Sequence, residues 1–96
     1  MEQLTHNVAA RRFEMDLGGP IAFISYVQRD DILVLTHAEV PAALNGRGIG
    51  GRLVQATLDR LRAQAHHVDP QCPFIAEWIR RHPEYANMVA NDPPKR

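Results

Sequence analysis

Apolar and polar side chains alternate or run apolar through two segments, Val8 to Leu17 and Pro20 to Gln28, with Gly18-Gly19-Pro20 standing between them. A period of two over such lengths predicts strands, and the glycine pair followed by proline predicts the tight turn of a hairpin. In the second segment Ile21, Phe23, Ser25 and Val27 face one side and Ala22, Ile24 and Tyr26 the other. Both faces of this strand are therefore expected to be largely covered, at least one of them by a helix. Arg29-Asp30-Asp31 supplies the next polar turn. Ile32 to Val40, rich in aliphatic and β-branched residues, predicts a third, central strand that ends at Pro41.

From Gly50 the period lengthens to that of a helix. Leu53, Val54, Thr57, Leu58, Leu61 and Ala65 form one stripe, and Arg52, Gln55, Asp59 and Arg62 form the opposite face. The pattern predicts an amphipathic helix from Gly50 to Ala65. The short run His66 to Asp69 before Pro70 predicts a fourth strand, parallel to the third, so that the helix becomes a βαβ crossover. Pro73 suits a first helical position, and Phe74, Ile75, Trp78 and Ile79 recur on one side until Pro83. Tyr85, Met88 and Val89 predict a further helical turn, and Asn91 to Arg96 reads as a frayed polar tail. The expected fold class is α+β, with a mixed, mostly antiparallel four-stranded sheet, one βαβ crossover and C-terminal helices.

Composition narrows the function. A chain of 96 residues has room for one domain (1–96, core about 8–89), and 45% hydrophobic with 23% charged residues is ordinary for a folded protein. Eleven basic and eleven acidic side chains cancel, which removes the broad positive field a nucleic-acid binder uses. The single cysteine, Cys72, forms no internal disulfide, and no Cys/His spacing suggests zinc, so a reducing, cytoplasmic setting is expected and no metal site is proposed. His66 and His67 are adjacent in a strand, point to opposite faces and do not chelate one ion together. No apolar run approaches the roughly 20 residues of a membrane span, and no signal-peptide pattern opens the chain, so neither membrane nor export is expected.

Asn45-Gly46-Arg47-Gly48-Ile49-Gly50-Gly51 joins the third strand to the amphipathic helix. Backbone amides at a helix N-terminus form a site for phosphate oxygens, and glycines let the backbone come close to a ligand. The alternative, a plain connecting turn, does not need four glycines within Gly46 to Gly51 and immediate entry into a helix. Gly46, Gly48 and Gly51 formally satisfy a dinucleotide fingerprint, but that motif requires an acidic residue about 20 positions on, where this chain has His66. The nucleotide P-loop spacing lacks its Lys-Ser/Thr pair, which is Arg52-Leu53 here.

His37-Ala38-Glu39-Val40-Pro41, Gly46-Arg47-Gly48-Ile49-Gly50-Gly51-Arg52-Leu53-Val54, Cys72-Pro73-Phe74 and Arg80-Arg81-His82-Pro83-Glu84-Tyr85 together resemble the minimal one-domain proteins of the GNAT acetyltransferase superfamily. The resemblance runs from about Val8 to Val89. It implies an acetyl-coenzyme A-dependent N-acetyltransferase acting on a primary amine, such as a protein lysine or N-terminus. The amides of Arg47 to Gly51 would hold the coenzyme A pyrophosphate. Val40, Asn45, Gly46, Arg47, Gly48, Ile49, Gly50, Gly51 and Arg52 would form the cofactor-binding set. Asn45 departs from the Gln or Arg that the superfamily pattern places there. The alternative function is a non-catalytic acyl-coenzyme A binding module using the same loop.

Transfer to an amine requires a base for the acceptor and an acid for the departing thiolate. His37 and Glu39, two apart on the third strand, share a face just before the loop and are the candidate base. Cys72, at the predicted N-terminus of the last helix, is a candidate nucleophile, because a helix dipole favours a thiolate; its other reading is a small buried core residue. Trp78, Phe74 and Tyr85 fit core packing under the last helices better than an aromatic substrate patch.

Overall fold

The computed structural model describes residues 3–90; the polar tail Asn91 to Arg96 lies outside them. The elements are β1 (Leu4–Asn7), β2 (Arg12–Asp16), β3 (Ile21–Arg29), β4 (Ile32–Glu39), a 3₁₀ turn (Ala42–Leu44), α1 (Ile49–Ala63), β5 (His67–Pro70), α2 (Pro73–Arg81) and a second 3₁₀ stretch (Pro83–Met88). The five strands lie in sequence order, β1 to β4 antiparallel and β5 parallel to β4. The mixed α+β sheet, the central third strand of the reading above, the crossover through one helix and the C-terminal helices are all present.

The sheet has five strands instead of four. The segment Val8 to Leu17 is a strand only from Arg12, and Val8 to Arg11 form the turn that joins an additional edge strand, β1. Arg11 closes that turn with a φ of 56°, and its amide donates to the Val8 carbonyl oxygen at 3.1 Å. β1 pairs with β2 along its whole length and is tied to the core. His6 stacks on Phe13 at 4.3 Å, its Nε2 shares a 2.6 Å hydrogen bond with the Tyr26 hydroxyl, and Arg60 of α1 donates to the Leu4 carbonyl oxygen at 2.8 Å. Burial, with Arg60 and His66 nearby, holds the His6 imidazole below its ordinary pKa of 6.5.

One face of the sheet is packed. Phe13 and Met15 from β2, Ala22, Ile24 and Tyr26 from β3, and Leu33 and Leu35 from β4 meet Leu53, Val54, Leu58 and Leu61 of α1 and Ile75 and Ile79 of α2. Each fully buried aliphatic side chain of this kind contributes about 1.5–3 kcal/mol. The helical stripe behaves as its periodicity predicts, except that Ala65 has left the helix in a left-handed conformation (φ 62°) and is exposed. Thr57, within the stripe, is completely buried, and among the described residues its hydroxyl has no hydrogen-bond partner.

The expectation that both faces of β3 are covered fails. Ile21 is 39% and Val27 47% exposed, because both helices lie on the Ala22–Ile24–Tyr26 side. Tyr85 is buried, its hydroxyl donating to Asp59 at 2.7 Å, and Trp78 stacks on His82 at 3.8 Å. Those two aromatics pack as expected; Phe74 does not, being 50% exposed.

Candidate functional site

Two local features of the chain build the site. The first is the entry to α1. Gly46 (φ 83°) and Gly48 (φ 73°) both adopt the left-handed conformation, which glycine enters without the clash a Cβ causes. Gly48 is the N-cap, with no capping side chain and no acidic residue in the first turn. The helix ladder begins with the Arg52 amide donating to the Gly48 carbonyl oxygen at 3.2 Å. The preceding first-turn amides have no helical carbonyl to reach, so they and the helix dipole remain available to an anion. A Cβ on Gly46 would meet nothing within 4 Å, so the loop backbone is approachable from outside.

Gly50 and Gly51 are small for a different reason. A Cβ on Gly50 would lie 2.9 Å from the Phe74 ring, and one on Gly51 would lie 3.3 Å from the Trp78 indole nitrogen. These two glycines let α2 close onto α1, whereas the left-handed pair shapes the loop.

The second feature is a bulge in β4. Ser25 pairs with His37 and Tyr26 with Leu35, which leaves Thr36 as an extra residue on β4. Strict alternation from Leu33 and Leu35 would aim His37 and Glu39 at the helices. The extra residue reverses the side-chain phase. Ala38 and Val40 now join the packed face, and His37 and Glu39 stand on the open one, where His37 faces the Phe23 ring at 6.1 Å. The registered pairing of β4 with β5 stops at Leu35 and Pro70, the Gln71 and Cys72 amides both donating to the Leu35 carbonyl oxygen at 3.0 Å. Beyond Leu35 β4 runs on alone, because β5 ends at Pro70 and the chain turns into α2.

A cleft of about 430 Å³ lies beside this part of β4, bounded by Ala38 of β4, by Val40 just after it, by Leu44, Asn45 and the glycine loop, and by Phe74 of α2. Val40, Asn45, Gly46, Gly48, Ile49, Gly50 and Gly51 of the sequence-derived set line it. Arg47 and Arg52 border a separate concavity of about 360 Å³ beside the β2–β3 turn, shared with Asp16 and Gly18. The two arginines are linked, Arg52 Nη1 donating to the Arg47 carbonyl oxygen at 3.3 Å. Ala38 and Leu44 were missed from sequence, and Phe74 was assigned to core packing. The signal for Phe74 was its place in the Cys72-Pro73-Phe74 run, and for Ala38 there was none without the bulge.

His37 and Glu39 are brought together. Nε2 of His37 lies 3.0 Å from Oε1 of Glu39, and both side chains are more than half exposed. Cys72 is the N-cap of α2, as its position before Pro73 predicts, but it is only 6% exposed and belongs to the hydrophobic core. Among the described residues no group of three or more His, Cys, Asp or Glu side chains has the geometry for a metal ion, and no helix is long and apolar enough to cross a membrane.

A mixed sheet whose last strand ends at Pro70, beside a glycine-opened and uncapped helix N-terminus that borders a cleft, defines a small α+β protein. The family described as GCN5-related N-acetyl-transferase matches residues 12–88, so the chain belongs to the GCN5-related N-acetyltransferase family and acetyl transfer is its class of activity. It is similar to Protein NATD1 of Gallus gallus, 31% identical over 85 residues that cover 84% of this chain and 76% of that one. Protein NATD1 of Mus musculus is 29% identical over the same length, covering 84% and 76%. Protein NATD1 of Homo sapiens is also 29% identical, covering 84% and 74%.

Proposed function

We propose that the protein transfers the acetyl group of acetyl-coenzyme A to a primary amine carried by a protein or peptide. The observation that carries this reading is the uncapped N-terminus of α1, opened by left-handed Gly46 and Gly48 at the mouth of the Ala38–Phe74 cleft. The pyrophosphate would rest on the first-turn amides, and the pantetheine arm would follow β4 into the cleft, past the point where β5 leaves it.

In this reading the acceptor loses a proton to the His37–Glu39 pair and its nitrogen lone pair attacks the thioester carbonyl carbon. The carbon–sulfur bond then breaks, and the proton shed by the new amide nitrogen passes through water to the departing thiolate. Glu39, hydrogen-bonded to His37 and open to solvent, is suited to accept the first proton. Direct transfer fits Cys72 better than an acetyl-cysteine route, because the thiol is packed in the core.

The test joins calorimetry with coenzyme A to a transfer assay on a lysine-bearing peptide. Glu39→Gln is expected to keep coenzyme A affinity and to lower kcat about 10²–10⁴-fold. An acetyl group found on Cys72 that passes to added amine at the turnover rate would overturn direct transfer. Coenzyme A binding with no transfer to any amine would favour the alternative, a non-catalytic acyl-coenzyme A binding module.

A further inference from the structure

We infer that the open face of the sheet carries a capture site for the acceptor in its protonated form, a lysine ammonium group, centred on Phe23 between Glu14 and Glu39. The inference rests on the acetyltransferase reading and deepens it by locating the acceptor and stating its charge.

Strand register places these residues. Glu14 of β2 is opposite Phe23 of β3, and Phe23 is opposite Glu39 of β4, so the three form one row across the sheet. Directly opposed side chains in such a row have Cβ atoms about 4.5–5.5 Å apart. The Phe23 ring already meets a cation there, the Arg12 guanidinium lying 4.1 Å from its centroid. The ring thus stands where its quadrupole stabilises a cation.

The charges leave room for a second cation. Arg12 is matched by Glu14 at 2.7 Å, whereas among the described residues Glu39 pairs with the His37 imidazole alone, at 3.0 Å. Two carboxylates therefore share one guanidinium in this part of the face, which is complementary to a cationic acceptor and not to an anionic one. Ile21, two residues along β3 on the same side and 39% exposed, extends the apolar strip, giving the methylene stem of a lysine a surface to lie on. Glu39 also sits between Ala38 and Val40, whose side chains line the cleft on the other face of the same strand. An ammonium held at this row is thus one strand away from the proposed acetyl donor, beside the stretch of β4 that β5 has left.

Two measurements test the site separately from the chemistry. In the first, the protein with coenzyme A bound is titrated by NMR with a short lysine peptide and with its norleucine counterpart, which has the same stem and no charge. Shifts at the Phe23 ring and the Glu39 amide are expected with lysine alone; equal shifts with norleucine, or none with either, would overturn the inference. The second is transfer kinetics on the lysine peptide. Phe23→Leu is expected to raise the acceptor KM about tenfold with coenzyme A affinity unchanged, and Phe23→Trp to restore it. Equal KM values for the Leu and Trp variants, each with its denaturation midpoint checked, would count against the site. Lysine binding without any transfer would remove the acetyltransferase reading and leave the capture site standing. Transfer without binding at Phe23 would do the reverse, as would sedimentation showing this face closed by a second copy.

Discussion

The two faces of β4 differ at its C-terminal end, beyond the bulge, although neighbouring residues of one strand supply both. On the packed side Leu33 and Leu35 are 2% and 0% exposed beneath α1 and α2; on the open side the His37 and Glu39 side chains are more than half exposed. Burial on the first side holds the fold, while exposure on the second keeps an imidazole and a carboxylate in contact with water. One face of the sheet is packed and the other is open to solvent, and the cleft forms a seam beside the packed face at the end of β4.

The comparison breaks most severely on the packed side. Leu35→Ala empties a completely buried position in the central strand and is expected to lower unfolding free energy by about 2–5 kcal/mol, measured by chemical denaturation. A loss below the range of an exposed substitution would mean that this face is not the core.

At the seam, Gly48→Val puts a β-branched residue at a φ of 73°, at a cost of about 1–3 kcal/mol. The same change is expected to remove coenzyme A binding in calorimetry. Unchanged affinity in the folded variant would exclude the α1 N-terminus as the anion site.

His6 probes the margin of the packed side, where the edge strand docks. Its pKa is lowered chiefly by burial, with smaller contributions from Arg60 and His66, so the native state disfavours the protonated ring. Above the ordinary value of 6.5 both folded and unfolded chains hold it neutral, and its contribution is complete. As the pH falls below that value the unfolded chain takes up the proton first, and stability declines until the folded value is passed. His6→Gln is expected to reduce this dependence in denaturation midpoints measured across that window; an unaltered slope would show that other groups carry it.

The smallest effect belongs to the open side. Val27→Thr, at a 47% exposed position, is expected to change stability by no more than about 0.5 kcal/mol in the same denaturation experiment. A larger loss would mean that this face is covered in solution.

Much of this architecture was legible in the sequence because it follows from local periodicity and local backbone chemistry. Leu53 to Leu61 could only bury their stripe as a helix, Gly18-Gly19 could only be a turn, and Pro73 marked the start of α2 where it occurs. The run from Asn45 to Gly51 was legible as the entry to α1, because a glycine cluster stands directly before the amphipathic stripe. β1 escaped notice since Leu4-Thr5-His6-Asn7 is too short and too polar to signal a strand; it exists because β2 offers an edge and Phe13 offers a surface for His6. The reasons for Gly50 and Gly51 were equally hidden, because the Phe74 and Trp78 rings that require them come from a helix more than twenty residues away.

The bulge at Thr36 marks the limit most clearly. Sequence alone determined that His37 and Glu39 share a face and that Ala38 and Val40 share the other. Which face meets the helices was decided only by the pairing of β4 with β3, since a single extra residue inverts the phase of everything after it without altering the alternation itself.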